Sequence, residues 1–424
     1  MVESLVLKSS RTASRNVRLY LVGLTASLIG DSAMSVVAGI WTKDLTGSNR
    51  TAGLVSVCIF APSLLAPVAG LLADRFARRR FLIAVNLAAA AVVLTLLAVH
   101  GAGQTWLVFV VMSWYGLTLV LTDPAENALL ADLLPAERLG RMNGLRMTLQ
   151  EGCKLIAPLA GAGLYALAGG HWVAVLDAAS FLVAAACVLA MRGADVRPEP
   201  RASDACERAI GMASPRAGAQ RRREQQRWRT EVLAGLRHVR NDHTLAVLTV
   251  VGALAMAVSG VAFPAQYALV DALHRPASFI GVLTALLGAG SIGAGLLAGR
   301  VMERVGGRGI TALGCLVAMT SYALVATGAL VPALLSRVVA GAALPWIVVA
   351  VITAGQQRTP ANLQGRVSAT LVFALFATQP VAQAAGALLV DPLGYRGLYV
   401  GAAVANLLLA VSCAGRGRRA ARAA

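Results

Sequence analysis

Histidine is nearly missing from this chain: five occur in 424 residues, at positions 100, 171, 238, 243 and 274. All five fall in connections or at the ends of apolar runs, so catalysis by a buried imidazole has no support. Cysteine is no richer. The six cysteines (58, 153, 187, 206, 315 and 413) form no CxxC pair, and five lie inside apolar runs. Packing is therefore the expected role, ahead of a disulfide framework or a thiolate metal site. Charge is short as well, at 14% of residues, with 20 acids against 38 bases. Without clustered His, Cys or paired catalytic acids, an enzyme is the weakest reading, and no cofactor is expected.

What fills the chain is apolar: 57% of residues are hydrophobic, in long runs of Ala, Val, Leu and Gly. A membrane-spanning helix needs about 20 mainly apolar residues. By that measure twelve spans are expected, centred near residues 30, 62, 90, 115, 156, 182, 257, 288, 318, 343, 379 and 405. The net charge of +18 would point to nucleic acid in a soluble protein, but the positions of the charges point elsewhere. With the N-terminus inside, the inside segments (1–18, 74–80, 124–146, 192–243, 299–308, 354–366 and 414–424) hold 32 of the 38 Lys and Arg. The outside segments (42–51, 100–104, 169–171, 271–276, 329–332 and 391–396) hold four, and Lys154 and Arg337 fall within spans. That asymmetry satisfies the positive-inside rule and predicts two cytoplasmic termini. Residues 19–41 read as a retained first span, since no small-residue cleavage site is seen and eleven more spans follow.

The longest inside connection, 192–243, divides the chain into six spans and six spans: an N-terminal bundle over 1–191, a linker, and a C-terminal bundle over 244–424. The linker's first part is rich in Pro, Arg and small polar residues and reads as mobile. Its second part spaces Trp228, Val232, Leu236 and Val239 helically among arginines. It reads either as an amphipathic helix on the cytoplasmic membrane face, basic toward anionic lipid, or as a solvated connector.

The two halves repeat. GLLADRFARRR from Gly70 and GRVMERVGGRG from Gly299 stand 229 positions apart, each following the second span of its half. Gly116 and Gly341, Gly140-Arg141 and Gly365-Arg366, and Gly161 and Gly386 all recur at an offset of 225. Four ordered matches with consistent offsets predict a duplicated six-helix unit.

These residues resemble the major facilitator superfamily of secondary transporters. Its loop signature, Gly-x-Leu-Ala-Asp-Arg-x-Gly-Arg-Arg/Lys-Arg/Lys, is matched at Gly70, Leu72, Ala73, Asp74, Arg75 and Arg78 to Arg80, and departs at Ala77. Further stretches resemble the branch of macrolide-efflux and enterobactin-exporter drug:proton antiporters: GDSAMSVVAGIW in span one, DPAENALLADLLPAERLGRMNGL after span four, LDAASFL in span six and LQGRVSA before span eleven. The Arg-x-x-x-Gly of many proton-coupled exporters is missing from span four, where Met112 stands. It is present in span ten as Arg337 and Gly341. The glycine-rich element of span five keeps only Pro158 and Gly161. The resemblance implies an all-α membrane protein of twelve spans in two pseudo-symmetric bundles, working by alternating access in the plasma membrane.

A charge deep in a bilayer costs at least about 2.5 kcal/mol, so each one needs a reason. Asp31 lies 13 residues beyond Arg18, about 20 Å along a helix, and is a candidate for taking up and releasing a proton; the alternative is an Asp fixed by neighbouring serines. Glu151 and Lys154, three apart, either pair structurally or switch partners during transport. Arg337 either attracts an anionic group or snorkels outward. Asp177 in span six reads as a helix contact. For a conformational gate, the resemblance places Asp74 against the start of span eleven, Leu363 to Val367, as a latch on a helix N-terminus. Gly70, Arg75 and Arg78 belong with it, Arg78 reaching toward Asp123 or Glu126, and Glu303 with Arg304 forms the duplicated counterpart. Trp114, Tyr115, Gln266, Tyr267, Tyr322, Trp346 and Gln379 are candidates for a central substrate cavity, each also explicable as packing. The leading expectation is a monomeric, proton-driven exporter of small amphiphilic molecules such as an antibiotic or siderophore, with protons and membrane lipids as its other partners. A lipid translocator or importer of the same fold, and a non-transporting sensor, are the alternatives.

Overall fold

A computed structural model describes residues 2–65, 77–134, 136–191, 235–360 and 363–421, and among them every regular element is a helix. In chain order these are α1 (Val2–Thr46), α2 (Asn49–Phe60), α3 (Arg78–Leu94), α4 (Thr105–Leu133), α5 (Ala136–Ala168) and α6 (Gly170–Ala190). The second half holds α7 (His243–Ala262), α8 (Ala265–Ala272), α9 (Phe279–Ala326), α10 (Leu330–Arg358), α11 (Gln364–Phe376) and α12 (Gln379–Ala421). Helices are what an apolar chain must form to pair every backbone N–H and C=O without water. Pro264 interrupts that pairing, and α7 and α8 stop and restart on either side of it.

Eight stretches of the described residues are long and apolar enough to cross a membrane. Two of them are far too long for one crossing. Helix α9 has 48 residues, about 72 Å at 1.5 Å per residue, and bends at Gly306, where φ is 71° and ψ 172°. Helix α12 bends likewise at Gly394, with φ 64° and ψ 169°. Polar residues in its first half keep α5 out of that group. Large apolar side chains remain uncovered, Leu167 at 90% and Leu296 at 77% exposure among them. Such a surface suits hydrocarbon rather than water.

The repeat seen in the sequence is carried by contacts. A β-carbon at Gly116 on α4 would collide with the Ile59 carbonyl on α2, and one at Gly341 on α10 with the Leu287 carbonyl on α9. Gly161 on α5 lies against Ala33 on α1, and Gly386 on α12 against Val261 on α7. The glycines recur at 225 and both of their partners at 228. The break at Gly394 has a counterpart at Gly169, also 225 earlier, with φ 81° and ψ 175° between α5 and α6. The loop signature departs from symmetry. Gly306 takes a left-handed φ, while Ala77, its equivalent 229 positions earlier, takes an extended φ of −61° and caps α3. An alanine there thus changes the turn rather than straining it.

Three apolar clusters draw on one half each, and a fourth gathers Ile40, Ala52 and Ala162 from the first half with Tyr267, Ile280, Val390 and others from the second. The halves also meet along a seam of small residues: Gly281 of α9 packs on Pro158 and Ala162 of α5, and Gly288 on Leu155. Residues 235–241 are helical and pack inward, Val239 into the second-half core and Gly235 against Arg366 and Thr370 of α11. The rest of the expected amphipathic stretch, with Trp228 and Val232, lies outside the described residues.

Gly169 and Gly394 occupy backbone conformations that are essentially glycine-only. Nothing lies within 4 Å of a β-carbon at either, so Gly169→Ala and Gly394→Ala should each cost about 1–3 kcal/mol through strain alone. Thermal unfolding of the detergent-solubilised protein measures this, with Gly365→Ala, equally uncrowded but inside a helix, as a near-neutral control.

Candidate functional site

The halves are locked at one end. Lys43, in the last turn of α1, gives its ammonium to Asp271 Oδ2 of α8 at 2.6 Å, to Asn49 Oδ1 of α2 at 2.6 Å and to the Tyr267 carbonyl at 2.9 Å. An ammonium has three protons, and all three are placed. The lysine side chain is 9% exposed and Asp271 51%. Asn49 Nδ2 also donates to Asp271 Oδ2 at 2.9 Å, and Tyr165 donates to Asp44 nearby at 2.7 Å. Tyr267 presses its hydroxyl onto Gly39 of α1, where only a glycine leaves room.

Inside the first half lies a second polar constellation, around a cavity of about 110 Å³. At its far end Asp31 of α1 accepts a hydrogen bond from Ser27 at 3.1 Å, leaving Oδ1 without a partner. Tyr115 of α4 and Asp177 of α6 stand beside it, 3% and 0% exposed. Neither the Tyr115 hydroxyl nor either Asp177 oxygen has a hydrogen-bond partner. The near end is ionic. Arg146 of α5 donates to Asp123 at 3.1 Å, Glu126 at 3.4 Å and Asn127 at 2.5 Å, and Tyr20 of α1 donates to Glu126 at 3.0 Å.

Asp123 and Glu126 therefore meet Arg146, a residue that sequence reasoning passed over. Arg146 lies 20 positions from Glu126, across the α4–α5 turn, where no short-range spacing rule reports it. Gly70, Asp74 and Arg75 lie outside the described residues. Glu303 and Arg304 are exposed, and the α11 N-cap, Leu363, supplies no side-chain cap. Glu151 and Lys154 pair at 2.7 Å on an exposed face. Of the cavity candidates, Tyr115 joins Asp31, whereas Gln266 and Tyr267 are buried at the locked end. Tyr322 stacks on Tyr399 with ring centroids 6.0 Å apart, and both hydroxyls interact electrostatically with Arg337, whose Nε and Nη2 lack hydrogen-bond partners. Trp346 donates to the Ala294 carbonyl at 3.0 Å, Gln379 donates to the Met256 carbonyl at 3.2 Å, and the Trp114 indole N–H has no partner.

A third charged group lies just before α7. Asp242 accepts from the Leu245 amide at 2.9 Å as the helix cap and takes Arg358 of α10 at 3.1 Å. Partial burial pushes its carboxyl up, but the amide and the guanidinium outweigh that and hold it below the usual carboxylate range. Its stabilisation is present above about pH 3.9 and is lost only as pH falls through the lowered value, so it is indifferent to changes near neutrality.

An all-helical molecule with duplicated halves, locked at one end and carrying isolated charges within its apolar spans, is of the class of membrane transporters rather than enzymes. The profile of the Major Facilitator Superfamily matches residues 19–264, more than half of the chain. The chain belongs to that superfamily. It is similar to macrolide efflux protein A of Streptococcus pyogenes, 27% identical over 173 residues, which span 40% of this chain and 43% of that relative. The protein of the same name from Enterococcus faecalis is 28% identical over 142 residues, 33% of this chain and 42% of that one. Among solved structures, a D323A mutant of the nucleoside transporter NupG superposes with a TM-score of 0.73 at 11% identity, over 95% of this chain and 99% of that one. A bacterial homologue of the human lysosomal transporter Spinster, in an inward-facing and unoccupied conformation, gives 0.67 at 14% identity, over 96% and 95%. These structures share the fold.

Lys43→Met should loosen the locked end, since a half-exposed bridge contributes up to about 1 kcal/mol, or several-fold in the open-to-closed ratio. Spin-label distances between positions 46 and 273 measure it: a longer component is expected in the variant, and an unchanged distribution would dismiss the lock.

Proposed function

We propose that the chain is a secondary active exporter of small amphiphilic molecules, coupled to protons and working by alternating access. The observation that carries this reading is the combination of a lock at one end with a carboxylate, Asp31, set within the first bundle with one oxygen unpartnered. Similarity to macrolide efflux protein A supports export and makes macrolides the first compounds to try. The chain crosses the plasma membrane twelve times as a monomer, with α9 and α12 each supplying a crossing on either side of their glycine bends. Bundles 1–191 and 244–424 move about one another, joined by the 192–243 linker, with both termini in the cytoplasm. The locked end then faces outside, and this conformation is open to the cytoplasm. Substrate enters between the bundles, where Trp114, Tyr322, Trp346 and Gln379 offer aromatic and amide surface. Arg337 and the Glu151–Lys154 pair are the remaining charges available to coupling.

Uptake of a macrolide panel into inverted vesicles under an imposed pH gradient tests the function. Gradient-stimulated uptake is expected, and the same uptake in a collapsed gradient would remove the coupling. Asp31→Asn, which deletes only the titratable proton, should bring uptake down to the gradient-free level while changing substrate affinity by less than about threefold.

In the opposite state Asp74 caps the α11 N-terminus, whose own N-cap residue, Leu363, has no side-chain oxygen to offer. A carboxylate there contributes about 0.3–1 kcal/mol. Asp74→Asn is expected to lose most transport, with spin-label distances between residues 74 and 364 lengthened. Wild-type transport together with wild-type distances would make that acid incidental.

A further inference from the structure

Asp177 is the most completely buried acid in the described residues, and no function described above uses it. It is 0% exposed and neither carboxyl oxygen has a hydrogen-bond partner. The nearest hydroxyl, Ser180, gives its proton to the Asp177 backbone carbonyl at 2.7 Å. The carboxyl lies directly on α1: a β-carbon at Gly30 would stand 2.5 Å from Asp177 Oδ1. Only a glycine at position 30 allows that approach, and the next residue along α1 is Asp31. Asp31 has its own unpartnered oxygen, Oδ1. The Tyr115 hydroxyl faces both carboxyls, and its ring is fixed edge-on against Phe181 at 6.3 Å. The hydroxyl of this buried tyrosine is a donor held close to two acids, with Asp31 its acceptor in reach.

Asp31 and Asp177 interact electrostatically, and two ionised carboxylates so placed, out of water and without a cation, repel one another and are both desolvated. Among the described residues no unengaged base is at hand to relieve them. The titratable groups facing the pair are each other, Tyr115 and, further along α4, Glu126; α3 offers the neutral Asn86, and Arg146 of α5 is taken by Asp123, Glu126 and Asn127. The cavity touching Asp31 and Tyr115 extends along α1 past Ser27 to Tyr20 and Arg146. Its volume holds roughly three or four waters, enough to link the pair to the ionic end, where Asp123 is 65% exposed.

We propose that Asp31, Asp177 and the Tyr115 hydroxyl form a single site that binds one proton, held between the two carboxyls and exchanged through the cavity inside the first bundle. The inference rests on the proton-coupled reading above and deepens it: the coupling proton belongs to a pair on two helices, and its route is separate from the crevice between the bundles. Binding is a simple protonation of one carboxylate oxygen by hydronium arriving through the cavity, and release returns it by the same path.

Labelling with dicyclohexylcarbodiimide, which reacts with protonated carboxyls in apolar surroundings, tests the site without substrate or gradient. The full chain in lipid nanodiscs is treated from about pH 5 to 9, and adducts are located by peptide mass. One adduct per chain, divided between positions 31 and 177, is expected. In Asp177→Asn the adduct at 31 should fall about tenfold near pH 8, because the remaining carboxyl ionises with no like charge beside it. In Tyr115→Phe, which removes the donor and keeps the ring, labelling should persist to higher pH. Unchanged labelling of Asp31 in Asp177→Asn, or two adducts on one chain, would overturn the pair. So would protection by sodium or a divalent cation at fixed pH, which would make it a metal-ion site. Infrared titration of the unmodified protein asks the same question without a variant: one protonated aspartic carboxyl lost on raising the pH supports the site, two or none refute it. Should labelling follow this pattern while gradient-driven uptake is missing, coupling falls and the pair stands.

Discussion

The whole assembly depends on helices touching backbone to backbone. In hydrocarbon, apolar side chains gain nothing by leaving lipid for a neighbouring helix, so association relies on close van der Waals contact and small residues. Gly116, Gly161, Gly341 and Gly386 supply that contact at four places related by duplication, each with no room for a β-carbon. These positions hold span four to span two, span five to span one, and their equivalents in the second half. The same device serves chemistry at Gly30, where removing one side chain brings a carboxylate of α6 against α1.

Polar groups in the molecule fall into two kinds. Lys43, Asp242 and Arg146 are paired: each holds an oppositely charged partner on a neighbouring helix. Such groups fix geometry, and Asp242 stays charged at any pH near neutrality. Asp31, Asp177, Tyr115 and Arg337 keep orphaned atoms in buried surroundings. An unsatisfied polar group inside a protein is expensive, and its persistence asks for a task in which the missing partner comes and goes.

Much of this was legible in the sequence. Apolar runs announced the helices, the paired glycines announced the duplicated contacts, and the loop from Gly70 carried the resemblance to the superfamily to which the chain belongs. Asp31 was visible as a charge with no base nearby in sequence. Its partner was not: Asp177 lies 146 positions away and reads alone as a helix contact, and only the glycine beside Asp31 hints at a close neighbour. Arg146 was hidden for a similar reason, since Arg78 offered itself as the base next to the loop acid. Lys43 was counted as one of four bases in short connections, and nothing local says that its proton donors reach another half of the chain. Proximity created by packing leaves little trace in spacing.

The seam between α5 and α9 has a mechanical meaning. Gly281 and Gly288 are two turns apart on α9, and their partners on α5 step back by the same interval. With no side chain on the α9 side of either contact, little interlocks across the seam, and one helix tilts on the other at little cost. The seam lies close to the Phe279 end of α9 and far from its Gly306 end: about 3 Å separates Gly281 from the first, and about 26 Å separates Gly288 from the segment before the second. A roll of about 10° would therefore move the start of α9 by less than ~1 Å and the Glu303 region by roughly 4–5 Å. The helix is a lever with its fulcrum near one end. At the short arm the contacts shift by a fraction of a bond length, and the same rotation is read out at the other end as a displacement several times wider.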